Sequence, residues 1–175
     1  VFYDELLTSY GETLTARPHA MGFFDWFQKQ GADALASGRH DADLLFRRVG
    51  ITFNVYGDQE GAERLIPFDL IPRILTAAEW WTLERGLAQR VNALNAFLQD
   101  IYHEQRIIAE KIVPADLIHQ NPQYRPELHG VKLPHDVWAH ISGIDIVRAE
   151  KGEFYVLEDN LRVPSGVSYM IEDRK

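Results

Sequence analysis

GIDIVRAEKGEFYVLEDNLRVPSGVSY, residues 143–169, is the stretch on which the reading of this chain turns. In its first half Ile144, Ile146 and Arg148 point one way while Asp145 and Val147 point the other. Its second half, Phe154, Tyr155, Val156, Leu157 and Glu158, is rich in aromatic and β-branched residues. Ala149-Glu150-Lys151-Gly152 between them is a short polar turn with a glycine, so the pattern predicts a β-hairpin. With Arg148 set opposite Glu153, Asp145 faces Val156 and lies diagonal to Glu158 on the same side of the ribbon. Such diagonal neighbours sit about 7 Å apart, within reach of one ion. Asn160 follows two residues after Glu158 and in extended chain projects to that face too.

Two carboxylates and an amide oxygen are hard donors that suit Mg²⁺ or Mn²⁺ better than zinc. Left uncompensated, the two negative charges repel, and a divalent cation removes that repulsion. Just beyond come Arg162, a planar donor fork for phosphate or carboxylate, and Pro164-Ser165-Gly166, a turn offering a hydroxyl and exposed backbone N–H groups. Metal donors followed at once by anion donors are what chemistry on a nucleotide phosphate requires. The same residues also fit a plain surface hairpin carrying solvated charges, since Asp/Glu pairs on hairpins are common.

The order Asp145, Glu158-x-Asn160, Arg162, Ser165 resembles the metal-binding segment of ATP-grasp ligases, and most of all the circularly permuted (type 2) ATP-grasp proteins related to glutathionylspermidine synthase. PFDLIPRIL, EWWTLERGLAQRVNALNAFLQDIY and GIDIVRAEKGEFYVLEDNLRVPSGVSYMIEDR all resemble that family, and together they span most of residues 50–174. The resemblance implies that Asp145, Glu158 and Asn160 are metal ligands for the Mg²⁺ (or Mn²⁺) that bridges the ATP phosphates. It also implies that Arg162 and Ser165 act at the substrate carboxylate or transferred phosphate, and that Arg73 and Arg148 are cofactor-binding candidates on the nucleotide's anionic groups. One position departs from the pattern: glutathionylspermidine synthases carry an arginine two residues before the strand acid, where this chain has Gly143, so glutathione-type recognition does not carry over there.

Bulk properties bound the rest. The 175 residues suffice for one ordinary domain with its own core. A composition of 46% hydrophobic and 25% charged residues is that of a globular chain. The net charge of −8 and pI near 5.3 argue against nucleic-acid or anionic-membrane partners, which would repel it. The absence of cysteine excludes disulfides, thiolate zinc sites and a cysteine nucleophile, and fits a reducing compartment; the cytoplasm is the expected location. No apolar run approaches the roughly 18 residues of a membrane helix, and no basic-then-apolar signal opens the chain. It begins at Val1 and stops just after the motif, so it reads as the N-terminal piece of a longer protein.

In chain order, Tyr3, Leu6, Leu7 and Tyr10 predict a helix over residues 1–15 with Gly11 as its stop, followed by a linker through Pro18 to Ala20. Phe23, Phe24, Trp26 and Phe27 form an aromatic cluster on a helix running towards Ala36, read as core or an inter-domain contact. Ser37-Gly38 breaks it, and a short helix resumes from Asp41 to Val49 with Arg47 and Arg48 at its C-terminal end, where positive charge suits the helix dipole. From Gly50 the alternation of Ile51, Phe53 and Val55 predicts a strand, the turn Gly57–Gly61 reverses it, and residues 62–68 return. Pro67 and Pro72 keep PFDLIPRIL extended, and Asp69 and Arg73 there suit a salt bridge pinning the loop as well as a substrate contact. Thr76-Ala-Ala-Glu79 is a capping box. After it Trp80, Leu83, Leu87, Val91, Leu94, Leu98 and Ile101 mark an amphipathic helix over residues 77–103 whose stripe is core, with Arg85, Gln89 and Arg90 off it, on a solvated face or, if the helix flanks a ligase cleft, with one of them presented to phosphate. Residues 104–111 read as helix, Pro114 opens another through His119, and 121–134 read as loop. Of His119, His129, His135 and His140, none shows a tight metal-pair spacing.

The domain organisation expected from this is an N-terminal helical region over residues 1–49 and a partial permuted ATP-grasp domain over 50–175. The fold class is α+β, with helices packed on a mostly antiparallel sheet. No G-x-x-x-x-G-K-[ST] phosphate loop, G-x-G-x-x-G or G-x-S-x-G elbow occurs. The lysine-bearing segments of an ATP clamp would lie beyond Lys175, so the isolated 175 residues are expected to lack activity. By resemblance the whole protein is an ATP-dependent carboxylate–amine ligase acting through an acyl phosphate on small molecules, with peptide- or polyamine-like substrates suggested by the family alone. A non-catalytic ATP-grasp-like scaffold is the alternative, and a metal-dependent phosphohydrolase on the same acidic face a third.

Overall fold

The computed structural model describes residues 3–10, 12–50, 52–54, 63–65 and 68–174. The chain is α+β, and its strands pair as three separate antiparallel hairpins. It divides into two compact units: residues 1–77, 148–153 and 166–175 form the first, and residues 78–147 and 154–165 the second.

The first unit opens with strands β1 (Leu7–Tyr10) and β2 (Thr13–Ala16), paired from Leu7↔Ala16 to Tyr10↔Thr13. This corrects the helix expected over residues 1–15. The apolar spacing fits a helix, but Thr8, Thr13 and Thr15 are β-branched and lose rotamer freedom there. Local hydrogen bonding also favours the hairpin: Asp4 Oδ1 accepts the N–H groups of Leu6 (2.9 Å) and Leu7 (2.7 Å), and the Arg17 N–H donates to Leu6 O at 2.8 Å. Pro18–Ala20 then makes one 3₁₀ turn into α1 (Met21–Gln28).

Helix α1 stops at Gln28 rather than running to Ala36, and Gly31 in extended conformation starts α2 (Ala32–Val49). Helix α2 passes straight through Ser37-Gly38, where a break was expected. A mid-helix glycine costs about 1 kcal/mol, less than the burial of Phe46, which stacks edge-on against Phe68 at 5.2 Å. Gly50 is the left-handed C-cap of α2 (φ 76°) and not the first strand residue. Strands β3 (Thr52–Asn54) and β4 (Glu63–Leu65) pair antiparallel, Thr52↔Leu65; the expected turn Gly57–Gly61 lies outside the described residues. Asp69 does not bridge to Arg73: its carboxylate accepts the Ile71 N–H at 2.9 Å, and Arg73 pairs with Glu5. In the aromatic cluster Phe23, Phe24 and Phe27 line a hollow with Leu6, Leu7 and Ile71, while Trp26 is exposed. Helix α6 (Gly166–Asp173), which begins at the last residue of the expected Pro164-Ser165-Gly166 turn, closes the unit.

The second unit is built on α3 (Ala77–Ile101). Its stripe is core as expected at Leu83 and Ile101, but Trp80 is 57% exposed. The core sits at the helix's C-terminal end, where Ile101, Tyr102 and Ile118 are covered by Phe97, Leu98, Ile107, Val113, Tyr124 and Trp138. Tyr102 is sandwiched between Tyr124 (5.2 Å) and Trp138 (4.8 Å) in near-parallel stacks. The helix expected over 104–111 shrinks to the single turn α4 (Arg106–Ala109), because Gln105 is left-handed and Asp100 accepts the Arg106 and Ile107 N–H groups. Helix α5 (Ala115–His119) follows Pro114, and two 3₁₀ turns, Pro126–Leu128 and Pro134–Asp136, punctuate the loop into β5 (Gly143–Arg148) and β6 (Phe154–Asn160). No helix among the described residues is long and apolar enough to cross a membrane.

Candidate functional site

Helix α3 fixes where β5 begins. Asn95 Oδ1 accepts both the Trp138 N–H (2.7 Å) and the Ala139 N–H (3.0 Å), while its amide donates to Val91 O. The Trp138 indole N–H donates to Gln99 Oε1 at 2.7 Å. One turn further towards the helix N-terminus, Leu87, Ala88, Val91 and Asn92 line an open hollow with Ser142 and Ile144. The half-buried face of β5 thus lies against α3, and Asp145, of opposite parity, is exposed.

The hairpin's register differs from the expected one. The Ala149 N–H donates to Glu153 O (2.8 Å) and the Gly152 N–H to Ala149 O (2.9 Å), with Gly152 at φ 89°. This is a three-residue loop with glycine in the left-handed position. It sets Ala149, not Arg148, opposite Glu153. Counting back one for one, Arg148 faces Phe154, Ile146 faces Val156 and Asp145 faces Leu157. Burial agrees, since Arg148, Phe154, Ile146 and Val156 are half-buried and Val147, Tyr155, Asp145 and Leu157 exposed. Continued unbroken, that count would turn Glu158 away from Asp145.

It does not continue unbroken. Leu157 and Glu158 are both exposed, and Asp159 turns inward, where its carboxylate accepts two hydrogen bonds from Arg90 of α3, Nε to Oδ1 at 2.7 Å and Nη2 to Oδ2 at 2.6 Å. A Cβ placed on Gly143 would fall 3.7 Å from the Cβ of Asn160, so Gly143 and Asn160 share a side. The alternation therefore slips by one residue at Leu157-Glu158, the signature of a β-bulge. Asp145, Glu158 and Asn160 end up on one face, as the sequence led us to expect, although by a register and a bulge that it did not reveal.

Among the described residues, the side chains of Asp145, Glu158 and Asn160 make no hydrogen bond or ion pair, and Asp145 and Glu158 are exposed. Two uncommitted carboxylates and an amide oxygen are the donor chemistry of a hard divalent cation, so the residues present fit the metal that the fold family implies. No three His, Cys, Asp or Glu side chains gather to hold a metal ion among the described residues, the loop histidines included. The base of the face is closed tightly, because a Cβ on Gly143 would stand 2.8 Å from Pro164 Cβ. A larger side chain at 143 has no room in this conformation. Arg162 and Ser165 follow in exposed chain, Val163 between Arg162 and Pro164 takes φ 51°, an outlier for a β-branched residue, and Ser165 directly precedes α6.

Arg73 and Arg148 belong to the first unit, where both point at one carboxylate. Arg73 Nε donates to Glu5 Oε2 at 2.7 Å, and Arg148 Nε lies 3.1 Å from Glu5 Oε1. The Arg148 side chain is only 5% exposed and its guanidinium stands 5.0 Å from the Tyr3 ring centre. Arg90 is the functional candidate that sequence reasoning assigned to the solvated face, and Asp159 went unread. Their hydrogen bonds hold the Asp159 carboxyl below the usual carboxylate range and raise the guanidinium's pKa, against a smaller opposing effect of burial. Asp159 is therefore ionised at neutral pH. The readable signal was a charge in the middle of Glu-x-Asn, which must point away from its two neighbours.

Known proteins resemble the chain over almost its whole length. It is 45% identical to an uncharacterized protein of Synechocystis sp., across 99% of this chain and 36% of the relative. It is 39% identical to an uncharacterized protein of Mycobacterium tuberculosis, across 95% of this chain and 32% of the relative. A Frankia alni protein named "Putative glutamate--cysteine ligase 2-3" is 42% identical across 99% of this chain; the match covers 20% of that protein, and the name describes the whole of it. The chain thus spans about a third or less of these relatives. The model of the circularly permuted ATP-grasp type 2 family matches residues 72–175, from just before α3 through the hairpin and α6. The chain belongs to the circularly permuted ATP-grasp type 2 family.

Proposed function

We propose that this chain supplies the metal-binding face of an ATP-dependent carboxylate–amine ligase. The observation that carries the reading is the placement of Asp145, Glu158 and Asn160, uncommitted, on one face of the β5–β6 hairpin. Asp145, Glu158 and Asn160 would hold a divalent ion, Mg²⁺ or Mn²⁺, which would supply charge neutralisation at the ATP phosphates. The chain's own part is positional. Asp145 and Glu158 present anionic oxygens, Asn160 adds a neutral one, and Gly143 leaves room for Pro164 to pack close to the start of β5. Arg162, a few residues on, orients the carboxylate that attacks the γ-phosphorus of ATP; the bond from that phosphorus to the β,γ-bridging oxygen breaks and ADP leaves. The Ser165 hydroxyl and adjacent backbone N–H groups take up negative charge on the acyl phosphate that results. An amine then attacks the acyl carbon, the C–O bond to phosphate breaks, the nitrogen gives up a proton to the departing phosphate, and inorganic phosphate leaves with the amide formed.

Arg73 and Arg148 in this reading reach nucleotide anions only by exchanging Glu5 for them, since both contact that carboxylate. The family portion begins ahead of the matched residues, at residue 50, which we retain as the boundary. The Frankia relative's name, "Putative glutamate--cysteine ligase 2-3", supports a ligase at the coarse level. The test is ATP turnover by the full-length protein with candidate acids and amines. Glu158→Ala and Asn160→Ala should each abolish metal-dependent ADP release while the protein stays folded. Turnover at the wild-type rate in either variant would overturn the assignment.

A further inference from the structure

We infer that Arg90 and Asp159 form a positioning pair that sets the phase of β6, turning Glu158 and Asn160 onto the metal face. The inference rests on the metal-face reading above and adds to it a residue from α3, outside the motif. The hairpin tip imposes one register and the strand base another, so the slip at Leu157-Glu158 needs something to hold it. Asp159 lies directly after the slip, and in extended chain its direction dictates that of both neighbours. Arg90 grips it with two parallel hydrogen bonds of 2.6 and 2.7 Å, a geometry that fixes the plane as well as the distance of the carboxylate. Were β6 to revert to the tip's register, Asp159 would leave Arg90 and Glu158 would face α3.

The pair is not a stability device in the first instance. The Arg90 side chain is 45% exposed, and exposed ion pairs contribute little to folding. What the pair supplies is orientation, in the way that partners behind metal ligands do. Lysine could keep the charge at position 90 but not the fork.

The experiment measures Mn²⁺ affinity of the full-length protein by electron paramagnetic resonance, for wild type, Arg90→Ala, Arg90→Lys, Asp159→Asn and the exchanged pair Arg90→Asp/Asp159→Arg. Tyr102→Phe, which perturbs the same unit away from the hairpin, serves as the stability control. Expected is a loss of roughly tenfold or more in affinity for the single variants, the usual consequence of removing a ligand's supporting partner. Partial recovery is expected in the exchanged pair, and no change in Tyr102→Phe. Unchanged affinity in Arg90→Ala, with Glu158→Gln weakened, overturns the positioning role and leaves the metal face standing. Affinity unaffected by Glu158→Gln, or no Mn²⁺ bound by wild type, overturns the metal face and this inference with it.

Discussion

Replacing Asn95 by alanine tests how the start of β5 is anchored. One amide oxygen serves two backbone donors, Trp138 N–H at 2.7 Å and Ala139 N–H at 3.0 Å, and Ala139 is only 8% exposed. The truncation leaves both N–H groups without their acceptor. A buried donor left unsatisfied costs about 1–3 kcal/mol. Trp138 is half-buried and water can reach part of its surroundings, so we take the low end for each, about 2 kcal/mol in total. Because every 1.4 kcal/mol is tenfold in an equilibrium constant, the two amides should lose protection by about thirty-fold. Hydrogen exchange followed by mass spectrometry on peptides spanning residues 136–142 reads this locally. Asn95→Asp, which keeps the shared acceptor, should retain most of the protection. A change under about threefold in Asn95→Ala would show that other contacts hold this segment, and the anchoring argument would fall.

Three further substitutions probe neighbouring features. Gly143→Ala brings a Cβ to 2.8 Å from Pro164 Cβ; a loss of about 1–3 kcal/mol in urea unfolding is expected, together with weaker Mn²⁺ binding, and a neutral variant would mean that residues 161–164 move aside freely. Gly152→Ala forces a side chain into φ 89° and to 2.8 Å from the Tyr3 ring. The strain of about 1–2 kcal/mol should lower the unfolding midpoint, and an unchanged midpoint would contradict the assigned turn. Glu5→Ala removes a carboxylate shared by Arg73 and Arg148; a loss of about 1.5–3 kcal/mol is expected, with Glu5→Gln milder, and equal stability of all three proteins would show that this shared contact does not stabilise the unit.

The parts legible in the sequence were those where one physical signal dominates. The stripe of α3, the proline ahead of α5 and the alternation of β5 and β6 each gave the right element. Val1–Thr15 failed because apolar spacing outvoted β-branching, and Ser37-Gly38 failed because one glycine cannot undo a helix that tertiary burial supports. The face that carries Asp145, Glu158 and Asn160 shows a subtler limit. That the three share a side was readable, but the register goes with Gly152's conformation, and Asp159, between Glu158 and Asn160, is held by Arg90, 69 positions away. An error of one in the turn and a bulge of one in the strand cancelled. Periodicity within a strand cannot see either, since both are set by contacts across the hairpin and from α3.

The most direct measurement is an anomalous difference map, collected at the manganese edge, from crystals of the full-length protein grown with Mn²⁺ and a non-hydrolysable ATP analogue. A peak bonded to oxygens of Asp145, Glu158 and Asn160, at the roughly 2.0–2.3 Å typical of hard cation–oxygen bonds, is the predicted result. A metal held elsewhere while these three side chains stay in solvent would contradict the account.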